Sequence, residues 1–380
     1  CCPCPEHQPA ATAATASAPA APPQAAEQSP AEDLFATVAE FRRVPNLFEI
    51  LSFDYWHQNY GFELPDRVRL RRDAYLASPE GKAHVLSVIG AKLRASGMTD
   101  AEIAALPEEE RIGRASGFFG GGHDLIVARR HFVDGATDDS QLASSGTLTP
   151  DEHARFVAYT IESARMAYEI NRYARYVAVF QNWLKPAGAS FDHLHKQLVT
   201  IDERGAHHEA TLARLRGNAN LFNEAGPNYA ARRNLVIAES GYAVAFAGFG
   251  HRYPTIEIHS TSEASDPWEQ RDDEVRGMSD MIHAMHAATG SAIPCNEEWH
   301  YRPIDVTLPM PWRVMLKWRI STLAGFEGAT KVYLNTIAPA TLRDRVVSAL
   351  LDLRGRGLIA PGLAIGSEAP GRPNPLRYRR

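Results

Sequence analysis

The feature that most constrains the fold is a repeated pattern: the order strands, helix, strands is predicted twice along the chain. The first copy predicts a strand in "GFFGGGHDLIVARRHF", a helix in "TPDEHARFVAYTIESARMAYEINRY" and strands in "YVAVFQN" and "HLHKQLVTI". The second predicts strands in "NLVIAESGYAVAFAGF", "YPTIEIHS" and "WRVMLKWRIS", and a helix opened by Asp266 and Pro267. A parallel doubly wound sheet would alternate single strands and helices. We therefore expect a duplicated α+β fold, with one antiparallel sheet per half and packed helices.

The remaining segments divide the chain into three parts. Residues 1–32 hold clustered cysteines and an Ala/Pro-rich stretch that is typical of a tether. Residues 33–225 form the first half, with a helical insertion over about 65–113, and residues 226–380 form the second.

Composition excludes several classes of function. A 44% hydrophobic content can bury the cores of two domains, and a net charge of -5 without a basic stripe argues against nucleic-acid binding. No apolar run reaches the roughly 20 residues of a membrane span, and no signal-peptide pattern is present, so we expect a cytoplasmic protein without a membrane partner. A mature Cys1 followed by the tether would also suit a lipoprotein.

The segment "FQNWLKPAGASFDHLHKQLVTID" carries the strongest chemical signal. His193, His195 and Gln197 alternate, so on an extended strand they share one face. A neutral imidazole can attack the α-phosphorus of a nucleoside diphosphate compound, and the Gln197 amide and the backbone N–H groups of the turn from Gly188 to Ser190 can donate to the phosphoryl oxygens. A single strand histidine is usually structural, but two alternating with Gln after a Gly/Ser turn favour a functional site.

This segment resembles the active-site run of galactose-1-phosphate uridylyltransferases, a branch of the histidine-triad superfamily in which Gln replaces a third His. The segments "FRRVPN", "GGHDLIVARRHF" and "RISTLAGFEGATKVYLNTIAP" are similar to further parts of that family. The resemblance implies that His195 is the covalent nucleophile and that Gln197 holds the phosphoryl group. It places Asn182, Gly188 and Ser190 on the phosphate side and Asn46 near the nucleoside.

The resemblance also implies a structural zinc ion. Many members bind zinc through the first His of the pair, an earlier His and a Cys-x-x-Cys pair, which here correspond to His193, His131, Cys1 and Cys4. Two thiolates and two imidazoles form the closed tetrahedral set that structural zinc prefers.

Two departures from the family bear on the substrate. Where some relatives have second-half histidines for another metal, this chain has Arg313, Met315 and Lys317, so we expect no second metal. Arg313 and Lys317, with Arg319, would present positive charge to a phosphate or carboxylate, although a solvated strand face explains them equally. The pair "HLH" also lacks the Pro that usually separates the two histidines.

The expected activity is therefore nucleotidyl transfer between a nucleoside diphosphate sugar and a sugar 1-phosphate through nucleotidyl-His195. A phosphorylase or hydrolase would use the same intermediate, and a binding module without turnover would keep only the fold. The family implies a homodimer, a hexose-1-phosphate uridylyltransferase type of activity and a role in galactose metabolism.

Overall fold

A computed structural model describes residues 38–46 and 48–379. The predicted ligands Cys1 and Cys4 and the predicted tether lie outside these residues. No helix in the described ranges is long and apolar enough to cross a membrane.

The centre of the molecule is one antiparallel sheet of ten strands in the order β1-β2-β4-β3-β8-β9-β7-β6-β5-β10. The strands are β1 Phe41–Pro45, β2 His123–Ala128, β3 Tyr176–Trp183, β4 His195–Ile201, β5 Val236–Glu239, β6 Ala243–Ala247, β7 Thr255–Ser260, β8 Cys295–His300, β9 Arg313–Trp318 and β10 Ala364–Ile365. The α+β class is thus confirmed.

In the described residues, helices lie in five of the connections between successive strands. They are α1 Phe53–Tyr60, α2 Asp66–Ala77, α3 Pro79–Ala95, α4 Asp100–Ala105, α5 Glu108–Gly113, α6 Ser116–Gly120, α7 Pro150–Ile170, α8 Gly205–Gly217, α9 Leu221–Ala225, α10 Pro227–Arg232, α11 Asp272–Thr289, α12 Gly325–Thr330 and α13 Pro339–Gly355. The predicted boundary at 225/226 falls between α9 and α10.

The duplication is visible in the strand order. The sequence β1, β2, α7, β3, β4 gives the spatial order β1-β2-β4-β3, and β6, β7, α11, β8, β9 gives the same order, β6-β7-β9-β8. The two sets meet where β3 pairs antiparallel with β8, with Asn182 opposite Asn296. A local two-fold axis therefore relates the halves, and their strands form one continuous sheet, not the expected two.

Helices α7 and α11 cover one face of this sheet. Helix α7 begins as the sequence predicts, because Thr149 accepts a hydrogen bond from the Glu152 backbone N–H and the Glu152 side chain accepts from that of Thr149. The core between helices and sheet contains Phe156, Leu198 and Met281, none more than 2% exposed. The opposite face of the central strands carries the polar residues of the candidate site.

Helix α11 begins later than predicted. Asp266 and Pro267 open a short 3-10 turn, Pro267–Glu269, and the α-helix starts at Asp272. Asp266 does not cap the backbone, because its carboxylate accepts hydrogen bonds from the guanidinium of Arg302.

The helical insertion is longer than predicted and has a separate small core. Helices run from Phe53 to Gly120, whereas the sequence pattern indicated 65–113. Apolar side chains of α2, α3, α4 and α6, such as Val68, Ile89 and Phe119, pack together there.

A buried ion pair joins the halves on the helix-covered face. Lys196 of β4 donates to the Glu297 carboxylate of β8 at 2.5 Å, and both side chains are fully buried. Glu297 also accepts from His286 of α11 at 2.6 Å and from the indole of Trp299 at 2.5 Å. Despite the opposing effect of burial, Lys196 and His286 hold the pKa of Glu297 well below its usual range.

Candidate active site

His195 begins strand β4 with its imidazole fixed from one side. Nδ1 lies 2.7 Å from the carbonyl oxygen of His193, an acceptor, so Nδ1 carries the proton and donates it. Nε2 is then the unprotonated nitrogen. Burial lowers the pKa of His195 from its ordinary 6.5, and this also favours the neutral ring. The residue is therefore held in the tautomer and protonation state that a nitrogen nucleophile requires.

An aromatic ring covers the imidazole of His195. Phe191 stacks on it with ring centroids 4.5 Å apart and planes 23° from parallel. Phe191 is itself 43% exposed, so its ring lies between solvent and one face of the His195 imidazole.

Gln197 is connected to Asn46 through His123, a residue to which the sequence analysis assigned no role. Nε2 of His123 lies 3.1 Å from Oε1 of Gln197 and 3.0 Å from Nδ2 of Asn46. His123 is 4% exposed, and its burial lowers its pKa. When Nε2–H donates to Oε1, it cannot also accept from Asn46, whose NH₂ group then has only Nδ1 of His123, 3.5 Å away, as an acceptor on this ring. In this tautomer the Gln197 amide NH₂ group is directed away from His123 and remains available as a donor. The "GGHD" segment was the only sequence signal for this contact.

Asn182 and Gly188, which the resemblance assigns to the phosphate side, are neighbours in the structure. The Oδ1 atom of Asn182 accepts a hydrogen bond from Asn296 at 2.7 Å, and this bond does not use the Nδ2 donor of Asn182. A Cβ atom at Gly188 would lie 3.9 Å from that Nδ2 atom, so a larger side chain at position 188 would partly block a ligand from reaching the Asn182 amide. Gly188 has φ 90°, which favours glycine in any case.

The turn between Asn182 and Ser190 differs from the prediction in its donors. The N–H groups of Gly188 and Ala189 donate inside the turn, to the carbonyls of Lys185 and Leu184 at 2.9 and 3.3 Å. They are therefore occupied, and Ser190 lies exposed at the end of the turn. Leu184 has φ 66° and ψ 155°, a strained conformation for a residue with a side chain.

Arg313 and Lys317 lie on the same sheet face but differ in surroundings. Arg313 is 5% exposed, packs 4.4 Å over the Phe222 ring and lies opposite His300. Lys317 lies opposite Asn296 and donates to Glu298 at 2.5 Å, so its charge is already compensated. The structure does not bring Arg313 next to His195.

The predicted histidine pair of the zinc site is brought together. Nδ1 of His131 and Nδ1 of His193 lie 2.8 Å apart, and Nε2 of His193 donates to the Ala128 carbonyl at 2.6 Å. Metal-bound histidines typically donate from one nitrogen to a carbonyl and bind the metal with the other, and in His193 that other nitrogen, Nδ1, shares a hydrogen bond with His131 in this structure. Residues 38–46 and 48–379 contain no group of three or more metal-binding side chains. The predicted ligands Cys1 and Cys4 lie outside these residues. The two imidazoles fit half of a zinc site.

Comparisons with known proteins agree with the fold. A family model described as a domain of unknown function, DUF4921, matches residues 8–378. ADP-glucose phosphorylase of Arabidopsis thaliana is 28% identical over 175 residues, which cover 43% of this chain and 49% of that protein. The chain thus spans about half the length of this curated relative.

Two solved structures have the same fold at low sequence identity. The Arabidopsis thaliana ADP-glucose phosphorylase with bound ADP-glucose is 22% identical with a TM-score of 0.50, covering 60% of this chain and 72% of that one. A uridylyltransferase is 18% identical with a TM-score of 0.50, covering 62% of this chain and 76% of that one.

Proposed function

Because the chain belongs to the DUF4921 family and has the galactose-1-phosphate uridylyltransferase-like fold, we propose that it transfers a nucleoside monophosphate through a covalent bond to His195. The observation that carries the proposal is the hydrogen bond from Nδ1 of His195 to the His193 carbonyl, which leaves Nε2 as a lone-pair nucleophile. The donor is a nucleoside diphosphate sugar.

In the first step, Nε2 of His195 attacks the α-phosphorus of the donor. A P–N bond forms, the P–O bond to the leaving group breaks, and the electron pair leaves on the sugar 1-phosphate. Gln197 stabilises the charge on the phosphoryl oxygens through its NH₂ group, since its carbonyl oxygen contacts His123. The developing positive charge on the imidazole is shared with the His193 carbonyl through Nδ1–H.

In the second step, a phosphate oxygen of the acceptor attacks the same phosphorus, and the P–N bond breaks. His195 returns to its neutral form with Nδ1 still protonated. A sugar 1-phosphate acceptor makes the protein a transferase.

A second candidate uses inorganic phosphate as the acceptor, which makes the protein a phosphorylase. It is favoured by the curated relative, which is named ADP-glucose phosphorylase. Both candidates require the same nucleotidyl-His195.

The test is the intact mass of the protein after incubation with ADP-glucose or UDP-glucose. We expect a gain of one nucleoside monophosphate with one of the two, no gain in H195A, and a normal gain in H57A, which changes an exposed histidine of α1. Release of the adduct by glucose 1-phosphate indicates the transferase, and release by inorganic phosphate alone indicates the phosphorylase. Turnover without an adduct would refute the covalent mechanism.

Zinc would stabilise the structure and would take no part in nucleotidyl transfer. His193 and His131, with Cys1 and Cys4, would hold the ion, which would fix the loop that supplies the carbonyl acceptor for His195. The expected homodimer, cytoplasmic location and role in galactose metabolism stay predictions.

A further inference from the structure

A cavity of about 470 Å³ lies over β3 and β8, where the two halves meet. We call it the dyad trough; it is lined by Asn182, Asn296, Glu298, His300, His208 and Arg319, among others. Pockets for small-molecule ligands commonly measure roughly 300–1,000 Å³. The β3–β4 register pairs Phe180 with Gln197, and continuing it by two residues places Asn182 opposite His195. The trough therefore begins one strand away from the predicted nucleophile.

The end of the trough near His195 favours an anion. Nη1 of Arg319 donates to Oδ1 of Asn296 at 2.8 Å, and its guanidinium lies 4.5 Å from the Tyr253 ring centre. Neither contact brings a negative charge, and within the described ranges the buried Nε atom of Arg319 has no hydrogen-bond partner. Both N–H groups of Asn296 are used, by Asn182 and by the Ala187 carbonyl at 2.7 Å, so the arginine is held in a fixed place. A planar cation with free donors suits a phosphate.

The other end of the trough favours hydroxyl groups. His208 is 5% exposed, and its Nδ1 donates to the Arg204 carbonyl at 2.8 Å, whereas its Nε2 has no partner in the described residues. Nε2 of His300 lies 3.5 Å from the Glu298 carboxylate, and its Nδ1 has no hydrogen-bond partner in the described residues. Burial lowers the pKa of His208 to about 4 and that of His300 to about 3, so both rings are neutral at pH 7. Since Nδ1–H of His208 is used by the Arg204 carbonyl, its Nε2 is an acceptor for a hydroxyl O–H, and Nδ1 of His300 is a second nitrogen at which a hydroxyl group can bond.

The length of the trough decides between the two acceptors. Asn296 and His300 lie four residues apart on β8, a distance of about 13 Å along a strand. Inorganic phosphate would occupy only the Arg319 end and leave Nε2 of His208 and Nδ1 of His300 without partners. A sugar phosphate would reach both ends.

We propose that the dyad trough is the subsite for a sugar 1-phosphate, with the phosphate at Arg319 and Asn182 and the sugar hydroxyls at His208 and His300. The inference rests on the proposed function and deepens it, because it assigns the acceptor and leaving group to residues of both halves of a single chain. A bound phosphate at Asn182 lies on the strand next to His195, about 5 Å away in the sheet, within reach of a phosphorus on Nε2.

The test is calorimetric titration of the protein with glucose 1-phosphate, inorganic phosphate and glucose separately. We expect glucose 1-phosphate to bind more tightly than phosphate or glucose. R319Q should weaken both phosphate ligands by about 10-fold to 100-fold, the range for losing a charge-assisted hydrogen bond. H208N keeps a donor for the Arg204 carbonyl and should weaken glucose 1-phosphate but not phosphate.

Controls separate this inference from the proposed function. R356A removes an exposed arginine at the end of α13 and should bind all ligands as the wild type does. H195A cannot form an adduct, but it should still bind glucose 1-phosphate. If the wild-type protein forms no adduct, and R319Q still loses glucose 1-phosphate binding, the proposed nucleotidyl transfer is refuted and the subsite is supported. Equal binding of glucose 1-phosphate by folded R319Q and wild type, or equal affinity for phosphate and glucose 1-phosphate, would overturn the subsite.

Discussion

Replacing Lys196 by Met tests whether the buried ion pair holds the two halves together. The substitution keeps the length of the aliphatic chain but removes the ammonium group that donates to Glu297 at 2.5 Å. Glu297 would remain fully buried, with only His286 and Trp299 as partners. The loss of the permanent ammonium charge is costly, because water cannot solvate the buried carboxylate and only His286 could still supply a positive charge.

The size of the effect follows from the geometry. At 2.5 Å and an effective dielectric constant of about 20, the attraction between the two charges is about 7 kcal/mol. Desolvation of both ions offsets much of it, and removing one partner of such a pair typically costs about 3–5 kcal/mol. We therefore expect K196M to lower the free energy of unfolding at pH 7 by about 3–5 kcal/mol.

The assay is urea denaturation followed by circular dichroism at pH 7. K317M is the matched control: Lys317 also donates to a β8 glutamate at 2.5 Å, but Glu298 is 34% exposed, so the loss should stay below about 1 kcal/mol. K196M/E297Q should recover much of the stability that K196M loses. Because the pKa of Glu297 is depressed in the folded state, its contribution is complete above the ordinary value of 4.5 and is lost as pH falls. Equal losses in K196M and K317M would refute the reasoning.

Four further predictions concern the site. H195A should abolish adduct formation and leave the melting temperature within a few degrees of wild type, as measured by intact mass and calorimetry; near-normal transfer by H195A would contradict the mechanism. Q197A should slow adduct formation by about 10²-fold to 10³-fold in a quenched time course, the scale for losing one oxyanion donor, and a rate equal to wild type would reduce Gln197 to a strand residue. Because burial lowers the pKa of His195 and its neutral form is the nucleophile, the rate of adduct formation should be constant from pH 8 to 6.5 and fall only in more acidic buffer; a loss already complete at pH 6.5 would argue against this. The purified protein should hold close to one zinc ion per chain by elemental analysis, and H193A should lower both zinc content and thermal stability, whereas a metal-free, fully active protein would leave His193 as an orienting residue only.

The sequence was informative where structure depends on nearby residues. The capping box at Thr149 and Glu152 predicts the start of α7, and the two-residue period predicts that His195 and Gln197 share a face. Strand β8 was not predicted, because Glu297 and Glu298 have the composition of an exposed segment. The burial of Glu297 depends on partners that include the distant Lys196, together with His286 and Trp299.

The parts of the site that were missed depend on pairing between distant segments. His123 reaches Gln197 across 74 positions of sequence, and Asn296 reaches Asn182 across 114. Both contacts require the register of the sheet, which no local pattern contains. The same register joins β3 to β8 and converts two expected sheets into one.

The local two-fold axis at Asn182 and Asn296 has a consequence for direction. In a symmetric dimer every substitution occurs twice, and both ends of a groove across the axis would be chemically identical. Here one chain supplies both halves, so the strand beyond Asn182 carries His195 while the strand beyond Asn296 carries Lys317. The two ends therefore differ: one carries the predicted nucleophile, and the other carries the ion pair of Lys317 and Glu298. If His195 is the nucleophile, the duplicated fold leaves only one of two related positions with the residue for it, and a ligand across the axis would meet different side chains in its two orientations.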